Sequence, residues 1–367
     1  MLLNVGRSEG GCKPDRAVAG WARGAVIPCR SRLVALPSHN EWCRDEAVGA
    51  DPLSSQSNRT LAASLAPLLN EACNGRLGDI TWFRADWQRG GAATGTSTFR
   101  TDEGEMPVVV KLPVVQREYT WTVRLQNEAE ESPVVPRLYA SNDFIGGYDL
   151  AWIIIERFEH GPLGLHWHQD HVRRIAAAIA RFHKATSAFE INQAPVVEDW
   201  QDLLEEAHAN VKINDVEDPK RWSAALKAFR RRVDDYIIEW RARPVNTWLH
   251  GDAHLANTMS REGIDRGDVC LIDLAEVHAG HWVEDAVYFE RQLWARPDLL
   301  NSSKPVKEIA AARKRLGLPV ESNYARLAMI RRALLAATAP KFMRTEGNPQ
   351  HLAACLNWLE TAMAELK

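Results

Sequence analysis

The apolar residues of this chain change their spacing near Gly161, and that change limits the folds open to it. Upstream, β-branched and aromatic runs alternate with Gly- and Pro-marked breaks: DITWFRADWQ, MPVVVKLP ending near Pro113, PRLYASND and AWIIIERFEHG. Such residues suit the pleated, half-buried surface of a strand. Gly146 and Gly147 fit a tight hairpin between the last two runs. Two helical stretches are interspersed: RTLAASLAPLLNEAC, with Leu61, Leu65, Leu68 and Leu69 on one side, and REYTWTVRLQNEAEE. Downstream the helical period dominates. QDHVRRIAAAIARFHKAT aligns Val172, Ile175, Ile179 and Phe182, with Asp170 expected as the N-cap. PKRWSAALKAFRRRVDDYIIEWRAR is expected to form one long amphipathic helix. The pattern predicts an α+β chain, a mostly β lobe over 56–160 followed by a mostly helical lobe over 161–367. Its 367 residues are ample for two such lobes. Residues 1–55, broken by Gly, Pro, Ser and charges, are expected to be disordered or loosely packed.

A formal net charge of -3 gives no bulk field that would draw the chain to nucleic acid or to an acidic membrane. No apolar run approaches the roughly 20 residues that cross a bilayer, and the N-terminus lacks the apolar block of a signal peptide. The six cysteines are scattered without a C-x-x-C pair. That pattern fits free thiols in a reducing cytoplasm better than a disulfide framework. Most of the fourteen tryptophans are expected in cores, with some available to line a pocket.

Two stretches interrupt the helices: TWLHGDAHLANTM and, about twenty residues later, VCLIDLAEVH. In the first, Asp252 follows an apolar lead-in, and Asn257 lies five residues beyond it. In the second, Asp273 ends a run of buried-strand type. A carboxylate at the end of an apolar strand is held rigidly and points into whatever cleft adjoins it. An aspartate and an asparagine on one compact loop, with a second aspartate nearby, suit phosphoryl transfer. There a carboxylate orients the attacking hydroxyl, and oxygen ligands hold Mg²⁺ against nucleotide phosphates.

The combination HGDAHLAN followed by LIDLAEVHAGHWVEDAVYF resembles the signature of the aminoglycoside phosphotransferase and choline kinase family, small-molecule kinases with a protein-kinase-like fold. The resemblance implies a bilobal molecule with a small antiparallel β-rich N-lobe that binds nucleotide and a larger helical C-lobe that binds the acceptor. It implies Asp252 as catalytic base, Asn257 and Asp273 as metal ligands, His250 as a loop stabiliser, and structural roles for Gly280 and Asp285. Lys111 would contact the α/β-phosphates and pair with Glu128 on the following helix, with Glu118, Glu130 and Glu131 as competitors for that pairing. Gly91 and Gly95 would belong to a phosphate loop, RGGAATGTSTFR, that lacks a full G-x-G-x-x-G. Backbone groups near Glu156 and Phe158 would hold an adenine edge. IARFHKAT, with Phe182 and His183, resembles the family's L-x-x-L-H helix. The implied reaction transfers the γ-phosphoryl of ATP, with GTP as an alternative and Mg²⁺ as cofactor, to a hydroxyl of a small molecule: aminoglycoside, amino-alcohol or sugar-like. A catalytically silent nucleotide-binding scaffold is the alternative reading. Protein-kinase activity is disfavoured because D-F-G and A-P-E are missing between Asp273 and Asp285.

Three histidines in HWHQDH, His166, His168 and His171, suggest zinc only weakly, since no fourth ligand has fitting spacing. A loop and helix start is the better reading. The acidic stretch EEAHANVKINDVEDPK is expected to be a solvated insertion, with Glu205 and Glu206 as weak candidates for a cationic acceptor.

Overall fold

The computed structural model describes residues 63–84, 92–126, 133–213, 216–342 and 348–366. The expected N-terminal extension lies outside them. Helix α1 (63–72) precedes five strands: β1 (Thr81–Arg84), β2 (Ala93–Thr101), β3 (Gly104–Leu112), β4 (Leu138–Asn142) and β5 (Trp152–Glu156). Helix α2 (Gln116–Arg124) lies between β3 and β4. The strands form one antiparallel sheet in the order β1-β2-β3-β5-β4.

Alternation along β3 and β5 sorts their side chains onto two faces. Val108, Val110, Leu112, Trp152 and Ile154 pack with Leu65, Leu69 and Cys73 of the first helical segment. Ile153 and Ile155 point the other way, with Val109 against them. Lys111 pairs with Ile153 across the ladder and shares that second face. A strand apolar on both faces thus reads as an unbroken run, WIIIE, as a central strand should.

The second half is helical: α3 (His171–Thr186), α4 (Trp200–Ile213), α5 (Pro219–Arg230), α6 (Val233–Arg241), α7 (Val283–Arg291), α8 (Pro305–Arg315), α9 (Tyr324–Thr338) and α10 (Pro349–Glu365). Two small antiparallel ribbons are inserted before α7. One pairs β6 (Thr247–Leu249) with β9 (His278–Gly280), and the other pairs β7 (Thr258–Ser260) with β8 (Val269–Leu271).

The structure corrects three expectations. The single long helix is two, α5 and α6, separated at Arg231 and Arg232. Its buried positions, Trp222, Leu226, Phe229, Val233, Ile237 and Trp240, keep helical spacing straight through the break, so periodicity cannot reveal it. Asp170 precedes α3 but makes no side-chain cap, because its carboxylate pairs with Arg173. The acidic insertion is largely helix α4, and there Glu205 pairs with Arg230 and Glu206 with Lys341.

Candidate active site

The loop HGDAHLAN runs from β6 to β7, and each of its turns has an identifiable anchor. The buried His250 accepts the Asp252 N–H at Nδ1 (3.3 Å), while its Nε2 meets the Ile272 carbonyl at 3.1 Å. An acceptor at Nδ1 and a donor at Nε2 define a neutral imidazole. Burial lowers its proton affinity, opposed by Asp285, Asp252 and Asp273. His250 therefore ties the Asp252 loop to the residue before Asp273. Gly251 has φ +78°, and a Cβ there would collide with the Glu276 carbonyl. Only glycine fits both the angle and the space.

Beneath the loop is Asp285, fully buried on α7. Its Oδ2 accepts the His250 N–H (2.8 Å), and its Oδ1 accepts the Gly251 N–H (3.0 Å). His183 of α3 reaches the same carboxylate through Nε2 (3.0 Å), while Arg313 donates to His183 Nδ1 (3.0 Å). Burial pushes the Asp285 carboxyl up, but the His183 hydrogen bond and the N–H donors of His250 and Gly251 outweigh it and leave the carboxyl below its usual range. Burial lowers the His183 pKa, in keeping with an Nδ1 that accepts from Arg313, and lowers Arg313 to about 10, still charged at neutral pH.

The half-buried Asp252 carboxylate is surrounded by donors. Asn257 Nδ2 donates to its Oδ2 (3.1 Å) and to its main-chain carbonyl (3.0 Å). His254 Nε2 lies 3.5 Å from Oδ2, and the Tyr288 hydroxyl donates to Oδ1 at 2.5 Å. Both atoms facing the Asn257 amide from Asp252 are acceptors, which fixes the nitrogen on that side and turns the amide oxygen away. The Asn257 main-chain carbonyl accepts the Ile272 N–H at 3.0 Å, so the loop end and the approach to Asp273 are adjacent. Asp273 has φ +68°, an angle few residues other than glycine adopt.

From the sheet, Lys111 reaches this seam. Its ammonium pairs with Glu118 and stands 3.7 Å from Asp273 Oδ1. Glu118 sits in the first turn of α2 and is buried, which raises its pKa. Lys111 opposes that rise and Asp273 adds to it. Helix α2 ends at Arg124, and Glu128 lies outside the described residues, as does Gly91. Gly95 is described and is not on a loop. It lies within β2, where a Cβ would meet Ile80 and Trp82, so its requirement is close packing against β1.

At the hinge, the Glu156 N–H donates to Arg137 O (2.8 Å) and the Arg157 N–H to Pro107 O (3.2 Å). The Glu156 carboxylate is held by Arg261 Nε and Nη2, both at 2.8 Å. The same guanidinium stands over the Phe158 ring, 5.2 Å from its centroid. The sequence reading missed Arg261, Tyr288 and Gln292. The last two follow Asp285 at i+3 and i+7, a helical spacing that was visible without a structure.

Among the described residues no cluster of three or more His, Cys, Asp or Glu side chains could hold a metal. His171 spends Nε2 on the Ile264 carbonyl at 2.7 Å. Nor is any described helix long and apolar enough to cross a membrane. Trp282 is fully buried, with Nε1 on Glu321 at 2.8 Å, and Trp294 packs against Trp358, so these two are core residues.

An antiparallel sheet and a helical lobe, with a strand-borne lysine meeting the loop carboxylate of Asp273, make a kinase-like phosphotransferase fold. Residues 88–329 match the model of the phosphotransferase enzyme family, and the chain belongs to that family. Its structure is similar to an aminoglycoside phosphotransferase from Alicyclobacillus acidocaldarius: TM-score 0.50 and 14% identity, over 87% of this chain and 96% of that one. It is also similar to a choline/ethanolamine kinase family protein from Mesorhizobium loti: TM-score 0.48 and 11% identity, over 83% and 94%. At such identities the first likeness concerns the fold alone. No curated protein matches the chain significantly.

Proposed function

We propose that this chain is a small-molecule kinase that transfers the γ-phosphoryl group of ATP to an alcohol hydroxyl. The observation carrying the reading is the meeting of Lys111, Asp252, Asn257 and Asp273 at one seam. Asn257 is bonded to Asp252 and adjoins Ile272, and Lys111 stands 3.7 Å from Asp273. In this reading Asp252 accepts a hydrogen bond from the acceptor hydroxyl, orients it, and takes its proton as the new P–O bond forms. Lys111 neutralises phosphate charge, and Glu118 holds it in place. Glu156, Arg157 and Phe158 border the base of the nucleotide. Two of their N–H groups are already used within the lobe, to Arg137 O and Pro107 O.

The donor set fits Mg²⁺. The Asn257 amide oxygen and the Asp273 carboxylate are hard oxygen ligands, and the Asn257 nitrogen is committed elsewhere. When bound, the ion would neutralise phosphate charge. The acceptor is a small hydroxyl compound rather than nucleic acid or membrane. Free, buried thiols at Cys73, Cys270 and Cys355 suit the ATP-rich, reducing cytoplasm.

The test is ATP consumption over pooled aminoglycosides, amino-alcohols and sugars, comparing the wild-type chain with Asp252→Ala. Turnover is expected to fall by at least about 10²-fold, with nucleotide affinity and melting temperature nearly unchanged. Near-normal turnover in the variant would remove Asp252 from the reaction. Tight ATP–Mg²⁺ binding without consumption against any acceptor would make the protein a scaffold instead.

A further inference from the structure

One stripe of α7 holds the HGDAHLAN loop residue by residue. Asp285, Tyr288 and Gln292 follow one another at i, i+3 and i+7 and so face the same way. Asp285 takes the N–H groups of His250 and Gly251. Gln292 takes the Leu255 N–H at Oε1 (2.9 Å) and donates to the Ala253 carbonyl (3.4 Å). Between them, Tyr288 is the member that touches the Asp252 side chain, through a 2.5 Å hydrogen bond to Oδ1.

We propose that Tyr288 is a positioning residue that sets the plane of the Asp252 carboxylate; for its effect on turnover, this rests on Asp252 being the base. A carboxylate on a single Cβ–Cγ bond rotates unless both oxygens are held. Asn257 and His254 meet Oδ2, and Tyr288 meets Oδ1, so the plane is fixed from both ends. Each carboxylate oxygen accepts about two hydrogen bonds. Tyr288 therefore leaves one direction open on Oδ1, and the acceptor hydroxyl approaches along it. A donor to a charged acceptor makes a strong and directional contact. The phenol is well suited to the task, since its ring is carried by a packed helix and has only two side-chain torsions.

The test is Tyr288→Phe in the full-length chain, which removes one oxygen and keeps the ring. The first measurement is hydrolysis of MgATP, with water as the acceptor, beside wild type and Asp252→Asn. The expected result is a fall in kcat of roughly 10- to 100-fold, the size of losing a hydrogen bond to a charged group, with KM for ATP unchanged. An unchanged kcat, or a KM that rises in step with the fall, overturns the proposal. Full activity in Asp252→Asn instead defeats the parent reading of Asp252. The second measurement needs no turnover: a crystal structure of Tyr288→Phe. Rotation of the Asp252 carboxylate away from Asn257 is expected. A carboxylate left in place with its Asn257 contact intact refutes the positioning role whatever the chemistry of the site.

Discussion

Replacing Asp285 by asparagine keeps the size of the side chain but removes its charge, and the surroundings offer the new amide no good orientation. Every atom known to meet the carboxylate is a donor: the His250 and Gly251 N–H groups and His183 Nε2. An amide oxygen placed at the Oδ2 position keeps His250 and His183 but turns its own NH₂ group toward the Gly251 N–H. The opposite flip loses two contacts instead of one. One charge-assisted hydrogen bond disappears and the others weaken to neutral strength, inside a fully buried site. Breaking a buried network of this kind costs about 3–5 kcal/mol. At about 2–4 °C per kcal/mol for a chain of this size, the melting temperature should fall by on the order of 10 °C. The assay is thermal and urea unfolding at pH 7, with nucleotide affinity measured alongside. The Asp285 carboxyl lies below its usual range, so its stabilisation is fully present above the unfolded carboxylate pKa and is lost only as pH falls through the lower folded value. The deficit of the variant should therefore be undiminished at pH 7 and should shrink only in strong acid. A loss below about 1 kcal/mol at pH 7 would refute the view that this carboxylate carries the loop.

Gly251→Ala should displace the Asp252 loop, because alanine is strained at φ +78° and its Cβ meets the Glu276 carbonyl. Turnover at least about tenfold lower, with melting reduced by several degrees, is expected, and calorimetry with an ATP-consumption assay checks both. His351 is buried against Trp294, and burial, then Arg291, lowers its pKa to about 3. A histidine less basic when folded favours the unfolded state once pH drops below the unfolded pKa of about 6.5. Stability should therefore fall by about 1.4 kcal/mol per pH unit between about 6.5 and 3 from this residue. His351→Phe should flatten the urea-midpoint profile over that window, and parallel profiles would contradict the assignment.

The strands, the loop and its carboxylates were legible because their signals are local. Asp252, Asn257 and Asp273 each sit beside an apolar strand, and an alternating or apolar run is enough to place them. One partner of Lys111, Glu118, was harder to read. Several glutamates follow that lysine, and only the start of α2 at Gln116, directly after β3, brings Glu118 beneath the ammonium. Gly95 looked like a loop residue because glycine permits turns, yet here the missing side chain makes room for Ile80 and Trp82. The break between α5 and α6 was hidden for the opposite reason, since the apolar stripe continues across it in phase. Asp170 failed as a cap because Arg173, three residues on, competes for its carboxylate. Tyr288 carries no motif at all; its meaning comes from the stripe it shares with Asp285.

The hinge and the candidate cation ligands are parts of one hydrogen-bonded unit. Asn257 directly precedes β7, and Arg261 directly follows it. Arg261 binds the carbonyls of Pro133 (2.7 Å) and Val135 (3.1 Å) as well as the Glu156 carboxylate. The Leu271 N–H on β8 donates to Val134 O at 2.7 Å. The segment entering β4, the end of β5 and the β7–β8 ribbon are therefore stitched together by a guanidinium and a main-chain bond, and the half-buried Arg261–Glu156 pair is less screened by salt than a surface pair. Phosphoryl transfer leaves the protein little covalent work, so its rate depends on holding groups where charge develops. On the proposed reaction, the two ends of the nucleotide would be held by elements with little freedom to shift against one another. Any motion that admits the acceptor would then fall to parts outside this unit.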